Sequence, residues 1–199
     1  MTFQSRCRLL LLVHLAVFIS VAVRSQQKND TLTQLLDYSR PGEAHQRLAA
    51  IEGSWNFQDA RRAYVKGVLI RKAIFEGRFY SVEITGGKLP LPVANGIMKE
   101  DNYRSLQWEG YDNARKIYIT TSINNHIGSN EEIQQGSYDS AAHAFTYQWE
   151  SELLPGYRVR NKRIVHLADP NTYTEEYFEE RNHAWVKVRE LRYVRQPGN

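Results

Sequence analysis

The chain has 199 residues, with 26 Lys+Arg against 22 Asp+Glu, 12% aromatic side chains and one cysteine, Cys7. Residues 1–25 hold three of the basic residues (Arg6, Arg8, Arg24) and none of the acidic ones, so the remainder carries 23 against 22, a net charge of about +1. The basic balance is thus a property of the N-terminus, which removes the footprint of a nucleic-acid binder, and a single cysteine excludes an intrachain disulfide framework.

In chain order, Arg6 and Arg8 precede an apolar run from Leu9 to Val23, and Val23-Arg24-Ser25 follows it with small or aliphatic residues at the cleavage offsets. That is the pattern of a secretory signal peptide over residues 1–25. A membrane anchor needs about 20 apolar residues; this run is shorter, contains His14 and meets Arg24. Cys7 precedes the run instead of following it, against a lipid anchor. The expectation is export with cleavage near Ser25, a secreted product and no stable membrane insertion afterwards. Residues 26–40 read as a polar leader, with one loose turn at Leu32–Leu36. Pro41 and Glu43 open a short helix, Ala44–Ile51 gives it two turns, and Gly53 stops it.

From there to residue 196 the pattern is all-β. Ten candidate strands cover 54–59, 63–75, 78–85, 103–111, 115–122, 131–138, 143–151, 157–167, 172–181 and 184–195. Glu76-Gly77, Asp112-Asn113, Asp139-Ser140, Pro155-Gly156, Asp169-Pro170-Asn171 and Asn182-His183 supply the turns between them. The spacing predicts an antiparallel up-and-down barrel of about ten strands over residues 41–196, preceded by the short helix. Gly86–Glu100, with Pro90, Pro92 and Gly96, is the longest irregular stretch and a candidate lid.

Several short motifs recur in a fixed order: His45-x-x-Leu48 before Gly53-Ser54-Trp55, then Gly77-Arg78-Phe79, Gly110-Tyr111-Asp112, Gly136-Ser137-Tyr138-Asp139 and Tyr193-Val194-Arg195. Through them the stretch from His45 to Arg195 resembles the domain-of-unknown-function family 1579, mostly bacterial proteins grouped with calycin- and lipocalin-like barrels. It departs from that pattern at Thr121–His126, where a tryptophan and a Ser-Gly-Thr-like loop are usual. The resemblance implies a fold and no known activity, and a periplasmic location if the source is Gram-negative. In lipocalin-like barrels the Gly-x-Trp step begins the first strand, and an arginine from the last strand stacks on the tryptophan. Here Gly53 and Trp55 hold those positions, with Arg192 or Arg195 as the arginine. Gly110 and Asp112 read as a structural strand end running into a tight turn.

No catalytic motif, phosphate loop or dinucleotide fingerprint occurs. The histidines beyond the signal segment, His45, His126, His143, His166 and His183, show no metal-ligand spacing. No catalytic residue, metal or cofactor is assigned. The leading expectation is a small-molecule-binding barrel, and the alternative is a haem-binding or enzymatic one, which needs a histidine facing the lumen.

The last strands locate the candidate site. A two-residue turn at Asn182-His183 sets Arg181 opposite Ala184, hence Glu176 opposite Arg189; the Asp169 turn sets Leu167 opposite Thr172, hence Arg163 opposite Glu176. Strand alternation then places Phe145, Tyr147, Trp149, Arg163, Glu176, Phe178, Trp185, Arg189 and Tyr193 on the lumen face. Arg158, Arg160, Lys162, Glu175, Glu179, Glu190 and Arg192 fall outside. The tentative ligand-binding set is Arg163, Glu176, Arg189, Tyr193, Trp149 and Tyr147, with the row Arg163–Glu176–Arg189 suited to an anionic or amphipathic ligand.

Overall fold

The computed structural model describes residues 30–92 and 97–197. The candidate signal peptide, the start of the leader and the centre of the candidate lid lie outside the described residues. The chain divides into two compact units at Arg40/Pro41. In the first, residues 30–38 form a helix, α1, instead of a leader with one turn. Leu32, Leu35 and Leu36 recur at helical spacing there, and all three are exposed.

The second unit is a helix, α2 (Glu43–Ala49), and a closed antiparallel barrel of ten strands. The strands are β1 (Gly53–Asp59), β2 (Lys66–Ile74), β3 (Phe79–Pro92), β4 (Met98–Asp112) and β5 (Ile117–Asn124). They continue as β6 (Glu132–Asp139), β7 (Ala144–Leu154), β8 (Tyr157–Asp169), β9 (Thr172–Arg181) and β10 (Ala184–Arg195). Each strand pairs with its sequence neighbours and β10 closes on β1, Trp55 opposite Arg195. Closure leaves no full-length sheet edge to protect.

Period-two burial defines the lumen. β1 turns Trp55, Phe57 and Asp59 inward, β5 Tyr118, Thr120 and Ser122, and β9 Tyr173 and Glu175. Aromatic rings fill the half nearest α2. Phe145 meets Tyr118 and Tyr138 with centroids 5.0 and 4.7 Å apart, and Tyr173 stacks on Tyr193 at 4.2 Å. α2 closes this end with Leu48, while the hydroxyls of Tyr80 and Tyr118 donate to the His45 and Ala44 carbonyls. Gly136 is required beside Tyr147, because a Cβ there would lie 2.7 Å from that ring and 2.4 Å from the Thr146 carbonyl oxygen.

The candidate lid is instead a hairpin extension. β3 runs on to Pro92 and β4 begins at Met98, with Lys88 paired to Asn102 and Pro92 to Met98. β2 pairs with β3 only as far as Gly86, so beyond that point β3 is an edge strand. Prolines that would break a central strand are tolerated there, since no ladder partner needs their missing N–H.

Candidate functional site

The open half of the lumen, away from α2, gathers charged side chains from β8, β9 and β10. Arg163 and Arg189 both pair with Tyr177, one from each flanking strand. Arg163 is 3% exposed and lies over the Tyr147 ring at 4.7 Å. Its Nη1 is 3.6 Å from Glu175 Oε1, and its Nη2 donates to Thr120 Oγ1 at 3.3 Å. Glu175 Oε2 accepts hydrogen bonds from the Tyr177 hydroxyl at 2.7 Å and the Tyr193 hydroxyl at 3.1 Å. Burial first, and then the Glu175 charge, push both hydroxyls above the usual tyrosine range, so they remain protonated donors.

Glu176 is not the lumen acid. It faces outward, accepting from Lys187 Nζ at 2.8 Å, with His166 Nε2 at 3.5 Å. Two β-bulges cause the difference. Leu167 pairs with Tyr173 but Asp169 with Thr172, making Ala168 an extra residue in β8. Lys187 pairs with Phe178 but Arg189 with Tyr177, making Val188 an extra residue in β10. Each bulge shifts the register by one residue and exchanges the two faces. Glu175 therefore enters the lumen, and Phe178 and Trp185 move outside, where Lys162 Nζ lies 4.6 and 4.7 Å from their rings.

The other assigned residues are placed as follows. Tyr147 and Tyr193 are buried in the lumen. Trp149 carries an indole N–H that is buried without a protein partner, as are Gln134 Oε1 and Arg163 Nε. Arg195 is the arginine at the closed end: its guanidinium lies 4.2 Å over Trp55 and donates to the carbonyls of Ala50, Glu52 and Pro170. Gly53 has φ +120°, and a Cβ there would meet Arg195 Nη1 at 2.7 Å. Gly110 lies under the Phe79 ring, and the Asp112 carboxylate accepts the N–H groups of Ala114 and Arg115.

The sequence reading passed over a second buried ion pair. Arg71 Nε and Nη2 donate to the two Glu109 oxygens at 2.9 and 3.1 Å, and Nη1 donates to the Ile51 carbonyl at 3.0 Å. The signal was present in Leu69-Ile70-Arg71 and Glu109-Gly110-Tyr111, where the charged residue shares strand parity with a core residue. Pairing Arg71 with Glu109 and Arg163 with Glu175 leaves Arg189. Among the described residues it has no ion pair within 4.0 Å and no hydrogen bond, and the Tyr177 ring lies at 4.3 Å. Although burial opposes its charge, Tyr177, Tyr193, Tyr103 and the longer-range Glu175 charge outweigh that and favour the guanidinium. Burial raises the carboxyl pKa of nearby Glu132, against the opposing pull of Arg163, Gln134 and Arg189, and Glu132 forms no ion pair among the described residues. Beside Arg189 lies a cavity of about 50 Å³ lined also by Tyr103, Gln107, Phe57, Val65 and Leu89.

The histidines are dispersed. His45 is on the buried face of α2, its Nδ1 accepting from the Gly42 N–H at 3.0 Å. His166 faces outward, and His143 and His183 occupy turns with positive φ. His126 lies in the β5–β6 loop; burial, then the Arg189 charge, hold its pKa down. Among the described residues no cluster of three or more His, Cys, Asp or Glu side chains could hold a metal ion.

Comparison with curated proteins gives no match. The family model described as a protein of unknown function, DUF1579, matches residues 40–195, which span α2 and all ten strands. The chain belongs to the DUF1579 family.

Proposed function

We propose that this protein is an exported barrel that binds a small anionic molecule in its lumen, with Arg189 as the anchor. The observation that carries the reading is that Arg189 faces the lumen cavity without a carboxylate. Arg189 is half-buried; drawing a cation part of the way out of water is unfavourable unless it is paired, and the Tyr177 ring offsets about 1 kcal/mol of that. A ligand carboxylate would supply the missing partner through charge-assisted hydrogen bonds. Export rests on the pattern of residues 1–25, and the intact mass of exported protein should correspond to a chain that starts near Gln26. Retention of residues 1–25 in a membrane fraction would overturn it.

Calorimetric titration with small carboxylates tests the binding reading. Arg189→Met should weaken binding by at least about tenfold, the value of one charge-assisted hydrogen bond. It should change stability by less than about 1 kcal/mol, because Glu132 and Glu175 lose only a longer-range attraction and no carboxylate loses a hydrogen bond or a close ion pair. Arg192→Met serves as the control, since Arg192 Nε donates to Glu190 on the outer face at 3.2 Å. Equal effects of the two substitutions on binding would refute the anchor.

A further inference from the structure

The cavity next to Arg189 restricts the chemistry of what it can hold, and four observations bear on this. Its volume of about 50 Å³, at about 10–15 Å³ per water-sized position, corresponds to roughly three to five non-hydrogen atoms. Arg189 is the single cation among its lining residues, and none of those residues is an acid. The other polar side chains on its wall, Tyr103, Gln107, Tyr177 and Tyr193, are neutral, and aliphatic side chains with Phe57 make up the rest of the side-chain lining. On the far side of Tyr177, Arg163 lies outside the cavity lining and faces Glu175 and Thr120.

Resting on the anion-binding reading above, we infer that the ligand class is a short-chain monocarboxylate: one acid group on Arg189 and a body of one or two carbons against Phe57, Val65 and Leu89. Each alternative class meets a specific obstacle. An α-amino acid would bring an ammonium to a wall without a carboxylate. A dicarboxylate would place its second charge against apolar side chains, with no cation to receive it. A long acyl chain exceeds the cavity's volume, and Tyr193 on its wall is stacked on Tyr173 at 4.2 Å.

The test is a titration of the full exported protein with straight-chain monocarboxylates from two to twelve carbons, plus 2-aminobutyrate and succinate, read by calorimetry. Affinity should rise by about fourfold per buried methylene up to the size limit. It should peak at two or three carbons, about four or five non-hydrogen atoms with the carboxylate oxygens counted, and fall for eight carbons and longer. 2-Aminobutyrate and succinate should bind at least about tenfold more weakly than butyrate, the scale of a charge left unpaired. Leu89→Ala and Val65→Ala should each move the optimum to longer chains by one or two carbons. Decanoate binding as tightly as butyrate, or an optimum unmoved in both variants, would overturn the inference and leave anion binding by Arg189 standing. If no carboxylate of any length binds the wild-type protein, the anion-binding reading falls with it.

Discussion

Four aspartates at strand ends, Asp59, Asp112, Asp139 and Asp169, fold their side chains back onto the N–H groups two residues on, and the first three also reach the third. The short carboxylate stands in for a backbone carbonyl, which is why aspartate suits this turn. Asp59 adds a second function, because Arg62 donates to its Oδ2 through Nε at 3.3 Å and Nη2 at 2.8 Å. Burial alone would push the Asp59 carboxyl up, but the Arg62 side chain and the N–H groups of Arg61 and Arg62 outweigh it and hold the carboxyl below its ordinary value. A carboxyl depressed in the folded state stabilises above its unfolded pKa of about 3.9, and that stability is lost as pH falls through the folded value. Asp59→Asn should therefore cost about 1 kcal/mol at neutral pH, the size of a lost cap-type interaction. The gap from wild type should stay constant down to about pH 4 and close below it, as read by urea midpoints across that range. A gap that persists undiminished to pH 2 would show that shape, not charge, is what Asp59 contributes.

At the level of strands, charged residues hold the lumen wall together across long sequence separations. Arg71 on β2 and Glu109 on β4 are each 2% exposed, and β3 lies between their strands. The planar guanidinium meets the carboxylate with two parallel hydrogen bonds, a geometry lysine cannot reproduce. Removing one partner leaves the other charged and dry, so Arg71→Met or Glu109→Leu alone should cost roughly 3–5 kcal/mol. The double substitution should recover most of that loss, because a buried ion pair is seldom worth more than apolar packing of similar volume. Chemical denaturation of the three variants forms a double-mutant cycle, and additive losses would show that the pair is not coupled. The same reasoning makes Arg189→Met harmless to stability: Glu175 draws its partners from Arg163, Tyr177 and Tyr193.

The whole molecule is closed by one residue near its C-terminus. Arg195 ends β10, lies over Trp55 at the start of β1, and ties the carbonyls of Ala50, Glu52 and Pro170 together. It thereby joins the segment after α2, the β8–β9 turn and the β1–β10 seam. Arg195→Met should cost roughly 2–4 kcal/mol, several charge-assisted hydrogen bonds less partial compensation by water, together with the ring contact. Arg195→Lys should recover less than half of it, since an ammonium cannot present a planar fork to three carbonyls while stacked on an indole. Full rescue by lysine in thermal unfolding would reduce the role of Arg195 to its charge.

What the sequence by itself determined about this protein was local. Alternating side chains and turn residues such as Asp112, Asp139 and Asn182 are read within a few positions. All ten strands therefore lie close to their expected places, and the barrel class follows from their number and spacing. Within the candidate site, Tyr147, Trp149, Arg163, Arg189 and Tyr193 were legible because each shares strand parity with core residues on the same side of any bulge: Phe145 on β7, Val165 on β8 and Leu191 on β10. The tertiary structure decided which acid they meet. Ala168 and Val188 each add one residue to a strand, and no local propensity distinguishes an added residue from an ordinary one. Their positions follow from contacts between distant strands. With Tyr173 stacked on Tyr193 and edge-on to Trp55, parity carries Glu175 and Tyr177 into the lumen and puts Glu176 outside. The Arg71–Glu109 pair was hidden for the same reason: its partners stand 38 residues apart and become neighbours only once β2, β3 and β4 are aligned. A register error of one residue exchanges every side chain on a strand between lumen and solvent. The identity of the lumen acid, and the unpaired state of Arg189, were therefore settled by packing.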